Sequence, residues 1–113
     1  NEMVADLYQP CHPSILKLLK SVSDAARRAG IWTGVCGEMA GDILLTPLLV
    51  GLGYSELSMS TPQLPMVKYA IRKLPSARCT ALVEEALTMG ETAKIRERCR
   101  EVALEFYSEL FIT

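Results

Sequence analysis

The 113-residue chain is half hydrophobic and carries 12 basic and 13 acidic side chains, for a formal net charge of −1. That length allows one domain with a modest core, the apolar content excludes a disordered chain, and the charge balance excludes a nucleic-acid partner or a basic membrane-binding surface. No apolar run approaches the ~20 residues that a membrane-spanning helix needs, and the longest, Ile43–Leu52, is interrupted by Thr46, Pro47 and Gly51. The first residues, Asn1 to Asp6, have neither the basic flank nor the apolar core of a signal peptide. Without a methionine at position 1, the chain reads as a piece processed or excised from something longer.

Pro10 and Pro13 bracket a turn, and Pro13 suits the first position of a helix, where its missing N–H costs nothing. Ile15, Leu19, Val22 and Ala26 then recur at spacings of four, three and four, which predicts one buried helical face. Arg27 and Arg28 fit a helix C-terminus, and Gly30 ends the helix. The compact apolar run Ile31–Cys36 predicts a strand at about 32–36. A loop with two glycines and two carboxylates follows, Gly37-Glu38-Met39-Ala40-Gly41-Asp42. Ile43–Leu52 is apolar all round, so it predicts a short buried helix closed by Gly51 and Gly53. Glu56 to Ser60 alternates polar and apolar, predicting a second strand at about 56–60.

Thr61, Pro62 and Pro65 mark a turn into a helix over Leu64–Leu74, and Ser76 is the candidate N-cap of another that runs to Met89 and stops at Gly90. A last helix opens at Glu91 or Thr92. Its stripe of Ile95, Cys99, Val102, Phe106 and Leu110 is core or an oligomer seam, and its other face carries Lys94, Glu97, Arg98, Arg100, Glu101 and Glu105. Strand, short helix, strand is a βαβ unit, which builds parallel sheet. Two parallel strands do not make a stable sheet alone, and their edges seek partners. The fold class is therefore α/β, helix-rich, with two short parallel strands at the end of a larger fold.

In α/β proteins, chemistry sits in the loops at the C-terminal ends of strands. Cys36 stands at such an end. Taken alone, a lone cysteine closing an apolar strand is most often core, and Glu38 and Asp42 read as solvated or loop-capping carboxylates. His12 reads as a turn or helix-cap residue, and Lys68 and Arg72 as a solvated face with a phosphate contact as the alternative. Cys11, Cys79 and Cys99 read as packing residues. The four cysteines form no C-x-x-C pair, and Cys11 beside His12 is a poor grip on a metal, so neither zinc nor a disulfide framework is expected. A reduced, cytoplasmic setting fits best.

Five segments, in order, carry a resemblance. They are Tyr8-Gln9-Pro10, His12-Pro13-Ser14-Ile15-Leu16, Trp32 to Asp42 (WTGVCGEMAGD), Gly51 to Ser60 (GLGYSELSMS), and Pro65-x-Val67-Lys68-x-x-Ile71-Arg72. Together they resemble the C-terminal end of the Enzyme I family of the bacterial phosphotransferase system, over nearly the whole chain and more weakly after about Leu87. Cys-Gly-Glu is shared with pyruvate phosphate dikinase, whereas Leu57-Ser58-Met59-Ser60 and the Pro65–Arg72 pattern favour Enzyme I. The resemblance implies that residues 1–113 are the last part of a (β/α)8 barrel that binds phosphoenolpyruvate (PEP), in an enzyme that moves its phosphoryl group to a protein histidine.

It also implies roles for particular residues. Loss of the phosphoryl group leaves the enolate of pyruvate, whose methylene carbon must be protonated, and the family gives that task to the cysteine matched by Cys36. A thiol of ordinary pKa, near ~8.5, is mostly protonated at pH 7 and can act as a general acid. Gly37 would let the backbone approach the substrate, and Glu38 would support the site without a catalytic step. Mg2+ is the implied cofactor, its ligands and the phosphate-clamping arginines lying upstream of this chain. The implied partners are PEP, a histidine phosphocarrier protein and further copies of the chain. The family's phosphohistidine lies in another domain, so His12 is not the phospho-acceptor. A non-catalytic, self-associating module and a fragment of a pyruvate phosphate dikinase are the alternatives.

Overall fold

The computed structural model describes residues 10–111, so Tyr8 and Gln9 of the first motif lie outside the described residues. The first helix, α1 (Pro13–Ala29), begins where the sequence predicts. His12 is its N-cap, and Nδ1 of its imidazole accepts the Ser14 N–H at 3.0 Å. Gly30 closes the helix at φ 71°, and Ile31 N–H bonds back to the Ala26 carbonyl at 3.0 Å. The buried face differs from the expected one. Leu16, Ser23 and Ala26 are buried, whereas Ile15 and Val22 are exposed. The polar Ser23 hides this face from a count of apolar residues: its hydroxyl donates to the Leu52 carbonyl and lets α1 seat on the helix that Leu52 ends. A second apolar stripe of Ile15, Leu18 and Val22 is left facing outward, and Ile31 and Trp32 beyond the helix are exposed as well.

Strand β1 (Gly34–Cys36) and strand β2 (Glu56–Ser58) pair in parallel, in the register Gly34↔Glu56, Val35↔Leu57 and Cys36↔Ser58. Both are shorter than the sequence suggests. The expected order of strand, helix, strand and the parallel pairing are present. Between them lie a four-residue helix, α2 (Glu38–Gly41), in the segment predicted as loop, and α3 (Thr46–Leu52). The apolar run from Ile43 does not start as helix. Oδ1 of Asp42 accepts the Leu44 N–H at 3.0 Å and the Asp42 carbonyl accepts the Leu45 N–H at 2.9 Å, making a turn that delays α3 until Pro47 can occupy its first turn.

The buried surround of α3 is as predicted. Leu45, Leu48, Leu49 and Leu52 pack with Leu16, Leu82, Val83, Ile95, Cys99 and Val102 in the main core. Its approach to the next helix but one is unusually close, because a Cβ on Gly51 would lie 2.2 Å from the Cys79 carbonyl oxygen.

A 3-10 turn (Thr61–Gln63) leads into α4 (Leu64–Lys73), followed by α5 (Ser76–Ala86) and α6 (Thr92–Tyr107). The N-cap of α5 is Pro75 rather than Ser76, since Pro75 already holds an extended backbone at φ −71° and ψ 130°. The helix ends at Ala86, and 87–88 form a turn. Ile95, Cys99 and Val102 of the last stripe are core, so this part is no seam. Beyond them burial passes to Ala103 and Tyr107 instead of Phe106 and Leu110. Tyr107 is drawn in because its hydroxyl donates to the Ile43 carbonyl at 2.6 Å, tying the end of α6 to the turn before α3. On the outside, Arg98 grips Glu85 with two bonds of 2.7 and 2.8 Å and also contacts Glu101, joining α6 to α5. Among the described residues no helix is long and apolar enough to cross a membrane.

Candidate active site

The parallel register places the exits of β1 and β2 side by side. Cys36 is the last residue of β1 and stands opposite Ser58, the last of β2. The next peptide turns sharply. Gly37 has φ 86° and ψ −154°, a backbone region that essentially only glycine occupies. No atom lies within 4 Å of where its Cβ would be, so it is the torsion, not crowding, that requires glycine. In that conformation the Gly37 N–H donates to the Ser58 carbonyl at 3.2 Å, which extends the sheet bonding one step past the strand and pins the loop. The short helix α2 packs on both strands and so lies at their shared C-terminal end.

Of the four thiols, Cys36 is exposed and Cys11, Cys79 and Cys99 are buried. Burial pushes the Cys79 thiol up to about 11. Cys99 is pushed up as well, first by its hydrogen bond with Cys11 and then by burial. Cys79 and Cys99 keep their protons inside the core, and Cys36 is the thiol that a dissolved molecule can reach.

Cys36, Gly37 and Glu38 thus come together at one strand exit. Glu38 is exposed and, among the described residues, forms no ion pair. Asp42 is the loop-capping carboxylate its position suggests, engaged with the Leu44 N–H. His12 caps α1 and stays out of the site. Lys68 and Arg72 are exposed on α4. Beside the loop, an open groove is lined by Glu38, Gly41, Asp42, Ile43, Gln63 and Met66. Gln63 reaches into it from the β2 side, its Oε1 accepting the Ser60 hydroxyl at 3.0 Å. Sequence reasoning missed Gln63 and the close fit at Gly41. A glutamine after Thr-Pro in a turn carries no signal of its own, and only the fold brings the two loops together. Among the described residues no three His, Cys, Asp or Glu side chains converge to hold a metal ion.

Residues 1–76 match the family described as PEP-utilising enzyme, PEP-binding domain. Relatives include a phosphoenolpyruvate-protein phosphotransferase of Latilactobacillus sakei, 43% identical over 89% of this chain and 18% of the relative. The phosphotransferase of the same name from Listeria monocytogenes is 44% identical over 93% of this chain, again covering 18% of the relative. A multiphosphoryl transfer protein of Escherichia coli is 45% identical over 76% of this chain and 10% of its own length. The chain therefore spans less than a fifth of the curated relatives it matches.

Proposed function

Since the chain belongs to the PEP-utilising enzymes by its match to their PEP-binding domain, we propose that it forms the C-terminal part of a phosphotransferase that passes the phosphoryl group of PEP to a protein histidine. Cys36 then protonates the enolate that remains, giving pyruvate. The observation that carries this reading is the placement of Cys36. It is the exposed thiol, and it sits at the C-terminal end of a parallel strand on a loop pinned by Gly37. A fixed loop holds a donor at a constant distance from a substrate carbon, which is what general acid catalysis requires. Gly37 brings the backbone close to the substrate, and Glu38 borders the groove beside it.

The wider architecture follows from the same premise. The two strands make a sheet of their own with no other strand beside it among the described residues. Their parallel pairing supports an arc of a (β/α)8 barrel, a fold that takes about 250 residues in full, with residues 1–113 as its closing segment. For Mg2+, no three candidate ligands converge among the described residues, and the resemblance puts the family's ligands upstream of the matched segment. We place its ligands outside this chain. The proposed partners are PEP, a histidine phosphocarrier protein and a second copy of the enzyme, in a cytoplasmic setting.

The test is Cys36→Ala in the full-length enzyme. Loss of a positioned general acid costs ~10²–10⁴-fold in rate, and that loss should fall on pyruvate formation much more than on histidine phosphorylation. Solvent deuterium entering the pyruvate methyl group reports the proton transfer directly. Unchanged rate and stereochemistry at that carbon would make Cys36 a structural residue and end this reading.

A further inference from the structure

The loops that leave β1 and β2 touch at a second point besides the Gly37–Ser58 bond. An ideal Cβ on Gly41 would lie 2.2 Å from Oε1 of Gln63, 2.5 Å from its Cδ and 2.8 Å from its Nε2. The whole carboxamide therefore rests on the space a side chain at position 41 would fill. Gly41 is buried, and its φ lies outside the left-handed region, so the backbone conformation does not call for glycine there. The contact does. Gln63 is in turn held from its own loop, because its Oε1 accepts the Ser60 hydroxyl at 3.0 Å and its backbone N–H donates to the Ser60 carbonyl at 3.1 Å. Ser60 lies two residues beyond Ser58, the register partner of Cys36.

We propose that Gln63 is a positioning residue for Cys36, its carboxamide seated on Gly41 so that the far end of α2 is fixed against the β2 loop. The Gly37 bond fixes the near end of the same short helix. With both ends held, the Cys36 loop cannot tilt about the Gly37 torsion. This rests on the reading of Cys36 as the proton donor, and it adds a residue that acts through the loop and does not touch the reacting carbon.

The experiment is a double-mutant cycle in the full-length enzyme with Gln63→Ala, Gly41→Ala and the pair. The methyl group of Gly41→Ala meets the end of a flexible side chain and no backbone, so the carboxamide is displaced and the fold is kept. Misplacement of a reacting group by about 1 Å can cost up to ~100-fold, and a partial loosening should cost about tenfold. Each single variant should therefore form pyruvate about tenfold more slowly, with KM for PEP and histidine phosphorylation unchanged. The double variant should be no slower than either, because both substitutions remove the carboxamide from the same seat. Alkylation of Cys36 by iodoacetamide, followed on its own peptide by mass spectrometry, should quicken at least threefold in each single variant and no further in the pair. Multiplying effects in the double variant, or single variants with unchanged pyruvate formation, would overturn the proposal. A parallel Cys36→Ala measurement separates the two failures. If that variant forms pyruvate normally, the proton-donor reading falls, and the alkylation cycle alone decides whether Gln63 positions the loop.

Discussion

Gly51→Ala tests the packing that holds the two strands in their βα frame. The added Cβ would stand 2.2 Å from the Cys79 carbonyl oxygen, 2.6 Å from its carbon and 2.7 Å from Cγ2 of Val83. Ordinary contact begins at about 3.4 Å, so α3 and α5 must separate by roughly 1 Å where they cross. The obstacle is backbone, which has no rotamer to change. Overpacking of this kind costs about 1–3 kcal/mol, and a clash with main chain belongs at the upper end. Alanine recovers up to ~1 kcal/mol over glycine within a helix. The net is a loss of about 2 kcal/mol, or a fall in Tm of roughly 8–16 °C for a domain near this size. Thermal and urea unfolding followed by circular dichroism would measure it. Gly90→Ala is the control, since nothing lies within 4 Å of its Cβ position and its φ is not positive; it should leave stability within about 0.5 kcal/mol. A Gly51→Ala chain as stable as the parent, or more so, would mean that helix propensity outweighs the contact and that α3 and α5 are not in close backbone approach.

Three further outcomes are expected. Tyr107→Phe should cost about 1 kcal/mol by leaving the Ile43 carbonyl without its donor. Burial raises the Tyr107 pKa above the ordinary 10.0, so the folded state holds the phenolic proton more tightly than the unfolded one; its stabilisation is complete below pH 10 and is lost as pH rises beyond it, and the unfolding free energy should fall less from pH 9 to 11 for Tyr107→Phe than for the parent. The 113-residue chain alone should not turn over PEP, since it spans less than a fifth of its relatives and the resemblance puts the magnesium ligands and phosphate-clamping arginines upstream of it; pyruvate release above an enzyme-free control, with Mg2+ and a phosphocarrier present, would contradict this. The same chain should self-associate through exposed Leu18 (59%), Val22 (47%), Ile31 (63%) and Trp32 (76%); sedimentation should show association that Leu18→Glu with Val22→Glu reduces, and a monomer at high micromolar concentration would count against it.

What the sequence discloses and what it conceals divide along a physical line. Local backbone chemistry was legible. Pro13 and Gly30 mark the ends of α1, the first because its missing N–H costs nothing in a first turn and the second because it takes a left-handed φ of 71°, and both stand where expected. The βα order and the exit of Cys36 from β1 followed from short apolar runs broken by glycine, and the Trp32–Asp42 motif added a role for the thiol. The α1 face was not legible, because its burial depends on a hydroxyl. Ser23 is buried only because the Leu52 carbonyl, 29 residues away, accepts a hydrogen bond from its hydroxyl.

Tyr107 and Gln63 are of the same kind. Each is a polar side chain whose place is set by one carbonyl or one glycine distant in sequence, and no periodicity records such a partner. The candidate site combines the two regimes. Cys36 and Gly37 are written locally, in a strand end and a torsion. The contact that steadies them at Gly41 is a space without a side chain, meaningful only once another loop fills it. Glycines that lack a positive φ, such as Gly41 and Gly51, therefore deserve a different question from Gly30 or Gly37. The backbone does not need them, so some neighbour does: the Gln63 carboxamide at Gly41 and the Cys79 carbonyl of α5 at Gly51.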